Sequence, residues 1–257
     1  MITSTPTIYH APPTLDPNST PTTNEPPDTS AVSRTKRGVA DKRYLWPQNH
    51  TITISFLDTP QATKRLVQKS IGVFAGLINL KFKFVEGNEG DIRISAHRDI
   101  QGTWSKLGTT ALSTPKDQPT MHVDLNTAPA DLRHYILHEF GHALGVEHEH
   151  HHPDRTVQYD EAKTYQVYNE QLGWGKGMTD HQVLRKVDPA NAITTPYDRK
   201  SIMHYNVPPE MTSNNEGVAP NKTLSDADKE FLKSLYPLPR PTASEIQARR
   251  FFRKGLI

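Results

Sequence analysis

The sequence predicts a twisted β-sheet backed by helices, an α/β layer arrangement. Three observations predict it. Short stretches alternate apolar and polar residues, a run at helical spacing follows the first of these, and a second helical stripe follows the last. At 257 residues the chain is long enough to bury a sizeable core.

Eighteen of the first 30 residues are Pro, Thr or Ser, the composition of a disordered tail. Residues 1–37 therefore read as a leader or propeptide, closed by the dibasic pair Lys36-Arg37 before Gly38. No charged-then-apolar run marks a secretory signal, which leaves the compartment open. Order is expected from Tyr44-Leu45-Trp46-Pro47 onward. Ile52, Ile54 and Phe56 alternate with Thr51, Thr53 and Ser55 as a half-buried strand. Leu66, Val67, Ile71, Phe74 and Ile78 recur at helical spacing. Strand alternation returns at Leu80-Phe82-Phe84, Ile92-Ile94 and Met121-Val123-Leu125.

The next helix has a start signal: Asn126 or Thr127 as cap, Pro129 in the first turn, and Asp131 at its positive end. Leu132, Ile136, Phe140 and Leu144 form its buried stripe. Further helices are expected around Asp160 to Leu172 and from Ser225, capped with Asp228 three residues on, to Leu235. Residues 239–257 form a basic tail with Arg249-Arg250-Phe251-Phe252-Arg253-Lys254.

A net charge of +2 argues against nucleic acid as a partner, and no apolar run approaches the ~20 residues that span a bilayer. The absence of cysteine excludes disulfides, thiolate ligands and cysteine nucleophiles. Any metal must be held by His, Asp, Glu or Tyr, and 13 histidines are present.

The segment from His138 to His148 carries the functional reading. His138 and His142 lie one helical turn apart, so both imidazoles can reach one ion on the face opposite the apolar stripe. Glu139 can reach a water bound to that ion. If the helix continued, His148 would lie about 9 Å further along the axis than His142. A zinc–nitrogen bond is only about 2.1 Å, so the chain must break and turn back. Gly145 sits where such a turn belongs. Three histidines leave a fourth position open, the arrangement of a catalytic zinc. His150 or His151 could replace His148; the glycine spacing favours His148. His150, His151 and His152 could recruit a second metal or simply face solvent.

These residues resemble the motif of the metzincin zinc peptidases, and Glu149 after the third histidine is similar to the astacin subgroup. Ser201-Ile202-Met203-His204-Tyr205, about 55 residues on, resembles the astacin Met-turn, and Gly102-Thr103-Trp104-Ser105 also looks like a family feature. The resemblance implies an α+β fold, with a twisted, mostly parallel sheet, an antiparallel edge strand, two long helices above the cleft and a mostly helical or irregular lower subdomain. It implies one catalytic Zn2+ held by His138, His142 and His148, with Tyr205 as a fifth ligand and oxyanion donor, Glu139 as general base and Met203 as an apolar floor. It also implies that Glu149 pairs with the amino terminus of a processed enzyme, here Gly38. The expected protein is a monomeric metalloendopeptidase acting on protein or peptide substrates, in a family that is mostly secreted. Relatives carry disulfides that this chain cannot form, and their arginine beyond the third histidine is replaced by His152, with Asp154-Arg155 following. By fold analogy, a strand near Thr109 to Ser113 would offer an edge to substrate. Two other readings compete: a non-catalytic zinc module that binds protein, against which Glu139 argues, and metal buffering by His148 to His152.

Overall fold

The computed structural model describes residues 38–240 and, beyond them, Ser244. The leader and the basic Arg249–Lys254 stretch lie outside the described residues. The described residues begin with strand β1 (Gly38–Asp41), β2 (Thr51–Phe56) and helix α1 (Gln61–Ile71). Strands β3 (Lys81–Phe84), β4 (Ile92–Ser95), β5 (Trp104–Ser105) and β6 (Met121–His122) follow. Next come α2 (Pro129–Ala143), α3 (Glu161–Leu172), the single turn α4 (Lys176–Thr179), β7 (Ala192–Thr195) and α5 (Asp226–Leu235).

The main sheet has the order β3-β2-β4-β6-β5. Every pairing in it is parallel except β5 with β6, so the antiparallel strand lies at the edge, as expected. Its interior strands carry Ile52, Ile54, Ile92 and Ile94, each at most 1% exposed. Strands covered on both faces read as runs of β-branched residues, and β4 is buried along its whole length. Phe140 of α2 meets Phe74 and Phe82 with ring centroids 5.2 Å away in both cases, joining the helices to the sheet. A second apolar cluster, built around Val167, Tyr168, Val183, Val207, Met211 and Val218, supports the half of the chain beyond the histidines.

Arg93 on β4 is only 1% exposed. Its guanidinium donates to the carbonyls of Gly90, Gln118, Thr114 and Pro115 at 2.9–3.1 Å. Burial lowers its pKa, and carbonyl dipoles stand in for a counter-ion. This fork ties down the approach to β6, the strand on which β5 pairs.

Three local expectations are corrected. Helix α1 stops at Ile71, and Phe74 and Ile78 are buried from the turns that follow rather than from the helix. Ala128, not Asn126 or Thr127, is the N-cap of α2 and makes no side-chain cap. Asn126 and Thr127 instead close a turn on Asp124, whose carboxylate and carbonyl accept their N–H groups. Gly108–Ser113 is a 3₁₀ turn, not a strand. Gly108 has φ +48°, and a Cβ there would overlap the Tyr44 carbonyl oxygen, so close backbone approach bends this segment away from an extended course. The antiparallel edge of the sheet is therefore β5, whose two residues are half-buried. By contrast, α3 lies where the sequence placed it, opened by an Asp160 cap, and the expected Ser225–Asp228 capping box opens α5.

Candidate metal centre

Helix α2 ends as the histidine spacing demands. Leu144 is its C-cap, and Gly145 takes the left-handed conformation at φ +89°. A side chain at that φ is strained, and a Cβ there would come within 2.9 Å of Leu45 and 3.3 Å of the Tyr44 carbonyl. Beyond the turn the chain runs against β1, with Val146 bridged to Ala40 and the Glu147 N–H donating to the Val39 carbonyl at 2.8 Å. That pairing carries His148 back beside the helix.

His138, His142 and His148 each offer a ligand atom, and these atoms lie within 4.8 Å of one another. The Nε2 atoms of His142 and His148 are 2.9 Å apart. Two ligands on one tetrahedral zinc, each at about 2.1 Å, stand about 3.4 Å apart, so this spacing fits a single ion after a small adjustment. Ring orientation points the same way. His138 donates Nδ1–H to the Ile202 carbonyl and His142 donates Nδ1–H to the Val146 carbonyl, both at 2.7 Å. Those bonds fix the tautomer and leave the Nε2 lone pairs for a metal. Burial lowers the pKa of His142 to about 4 and holds His148 well below the ordinary histidine value, which keeps both imidazoles neutral. The donor set fits zinc.

Glu139, 4% exposed, sits on the same helix. Burial raises its pKa well above the usual carboxylate range, and a hydrogen bond from the Ser105 backbone on β5 opposes that shift. Tyr205 is 7% exposed, not a surface residue. Its ring lies 4.4 Å from that of His148 and 6.5 Å from that of His138, and it stacks on His150 at 4.0 Å. Burial pushes its phenol pKa upward, so the O–H stays protonated.

Met203, 3% exposed, lies under Gly141 of α2. A Cβ on Gly141 would fall 2.6 Å from the Met203 sulfur, so a glycine there lets the turn press against the metal-bearing helix. Glu149 is 1% exposed; its carboxylate accepts the Asp198 N–H at 2.7 Å and its own N–H donates to the Met203 carbonyl.

His150, His151 and His152 do not face solvent: each is at most 1% exposed. His150 and His151 donate to the Gln182 carbonyl, and His152 to the Thr195 carbonyl. His204 bonds locally, to the Tyr205 carbonyl and the Tyr197 hydroxyl, as expected. Arg155 ties the carbonyls of His150, Leu184 and Arg185 together.

Sequence reasoning missed the frame behind these side chains. Asp228 accepts from Ser201 Oγ at 2.6 Å, the Ile202 N–H at 2.9 Å and the Ser225 N–H at 2.8 Å. It therefore joins the α5 cap to the turn whose Ile202 carbonyl orients His138. The capping pattern at Ser225 was the one available signal.

A sequence model of the peptidase family described as Astacin matches residues 38–235. No curated protein matches the chain. Among solved structures, one of myroilysin is 31% identical and superposes with a TM-score of 0.75, covering 79% of this chain and 100% of that one. A second myroilysin structure is 30% identical with a TM-score of 0.57, covering 77% and 87%. High choriolytic enzyme 1, a hatching-enzyme zinc protease from the medaka fish Oryzias latipes, shares the fold at 19% identity and a TM-score of 0.52, over 77% of this chain and 96% of that one.

Proposed function

Because the chain belongs to the astacin family of zinc metallopeptidases, we propose that it is an endopeptidase whose single catalytic zinc is held by His138, His142 and His148. The observation that carries this reading is the gathering of three buried or half-buried imidazoles, two with Nδ1 turned to backbone carbonyls, beside a buried carboxyl. Zinc bound there lowers the pKa of a coordinated water toward 7 and polarises the scissile carbonyl. Glu139 takes a proton from the attacking water and returns it to the departing amine nitrogen. Its raised pKa, nearer the working pH than that of a solvated carboxylate, suits both transfers. Tyr205 serves as a fifth ligand at rest and as hydrogen-bond donor to the developing oxyanion, a role its buried, protonated phenol supports. Met203 is the apolar floor, and the β5 edge beside Glu139 is where an extended substrate would pair.

Purified protein should cleave internal bonds of casein. Activity should fall to background with 1,10-phenanthroline and return with stoichiometric zinc. Hydrolysis that survives complete removal of metal would sink the reading.

Residues 1–37 act as a removable leader in this proposal. The family match begins at Gly38, and β1 packs beside the Glu149–His151 turn. The Gly38-start form should be the more active on casein; equal activity of both forms would exclude the leader's inhibitory role.

A further inference from the structure

His150 and His151 form a second cluster that the proposed peptidase chemistry does not use. Both donate Nε2–H to the same acceptor, the Gln182 carbonyl, at 2.9 and 3.0 Å. A neutral imidazole that donates from Nε2 carries its lone pair on Nδ1. This is the mirror image of His138 and His142, where the carbonyl takes Nδ1–H and Nε2 is left for the metal. The His151 Nδ1 atom is fully buried and has no hydrogen-bond partner among the described residues. Leaving such a lone pair unmatched carries the desolvation penalty of a buried acceptor, which a bound ion would recover. One ring nitrogen from each of His148, His150 and His151 lies within 4.8 Å of the others, as in the first triad. Closing three nitrogens onto one ion from that distance takes side-chain movements of about 1 Å.

We propose that His148, His150 and His151 form a second, weaker site for a divalent transition ion, zinc in the first instance. An all-imidazole donor set suits zinc and its neighbours rather than magnesium or calcium. His148 belongs to both groups, so filling the second site draws a ligand from the first. The stack of His150 on Tyr205, 4.0 Å between ring centroids, couples the second ion to Tyr205 as well. Excess zinc thus inhibits the enzyme through its own third ligand, a consequence that rests on the reading of the first triad as the catalytic centre.

The test is equilibrium dialysis of the untagged full-length chain against increasing free zinc, with bound metal counted by mass spectrometry and casein hydrolysis measured in parallel. The expected result is one ion per chain at low free zinc and two at high, with activity falling several-fold as the second enters. His151→Gln keeps an amide donor for the Gln182 carbonyl but offers no ring lone pair; it should stay at one ion and resist inhibition. His151→Ala should behave alike, so the result does not hinge on the folding of either variant. A parent chain that stops at one ion overturns the second site and leaves the catalytic reading standing. A chain that retains no ion overturns both. A second ion, or the inhibition, persisting in the His151 variants overturns the assignment to this cluster.

Discussion

Replacement of Glu139 by glutamine should lower peptide hydrolysis by about 10²- to 10⁴-fold while the zinc content stays unchanged, the effect of losing a positioned general base. The change keeps the side chain's shape on a buried stretch of α2, so it removes the proton acceptor and little else. It also has a stability signature. A carboxyl whose folded pKa is raised favours the folded state only while protonated. That contribution is complete below its unfolded pKa and is lost as pH rises through the folded value. Burial raises the Glu139 pKa, so the metal-free parent carries this cost at neutral pH and the glutamine variant does not. The metal-free variant should therefore match or exceed the parent in urea midpoint at pH 7 and lose that advantage in acid. A variant that keeps parental activity would remove Glu139 from the mechanism; one that loses stability and activity together would point to a damaged fold instead.

Asp228→Ala should have the largest effect on stability, about 3–5 kcal/mol, because three buried donors lose one acceptor at once. Asp228 is 6% exposed, so water cannot readily take its place. The damage should reach the metal. Ser201 and Ile202 are held by this carboxylate, and the Ile202 carbonyl orients His138 through a 2.7 Å hydrogen bond. Loss of such an outer partner typically weakens metal affinity about 10- to 100-fold. Urea unfolding and competition with a chromophoric zinc chelator measure the two effects. Asp228→Asn, which presents an amide to the same donors, should fall between alanine and the parent. An alanine variant of unchanged stability that still binds zinc as the parent does would show that the α5 cap and the turn are independent.

Local geometry explains what could be read in advance. The spacing from His138 to His142 and the break at Gly145 follow from helical rise and from glycine's freedom at positive φ, both properties of a few adjacent residues. The cap of α5 was legible for the same reason. What escaped depends on distant partners. The Gly108–Ser113 stretch looks extended until the Tyr44 carbonyl presses against Gly108. His150, His151 and His152 look like a solvated run, yet the carbonyls of Gln182 and Thr195, far along the chain, draw them inside. Asp228 announces a capping box, and nothing nearby in sequence indicates that its second allegiance is to Ile202.

Tyr236, just past α5, makes a different kind of closure. Its hydroxyl donates to the Leu144 carbonyl at 2.6 Å and accepts the Trp46 N–H at 3.2 Å, while its carbonyl takes the Asn79 N–H at 2.9 Å. The Trp46 indole in turn donates to the Ala143 carbonyl at 2.8 Å. Segments from the two ends of the domain are thus clasped to the end of the metal-bearing helix by reversible bonds alone. No covalent staple has to be oxidised for this clasp to close, and none can be undone by thiols. Temperature and denaturant, rather than the reducing power of the surroundings, set the conditions under which the fold opens.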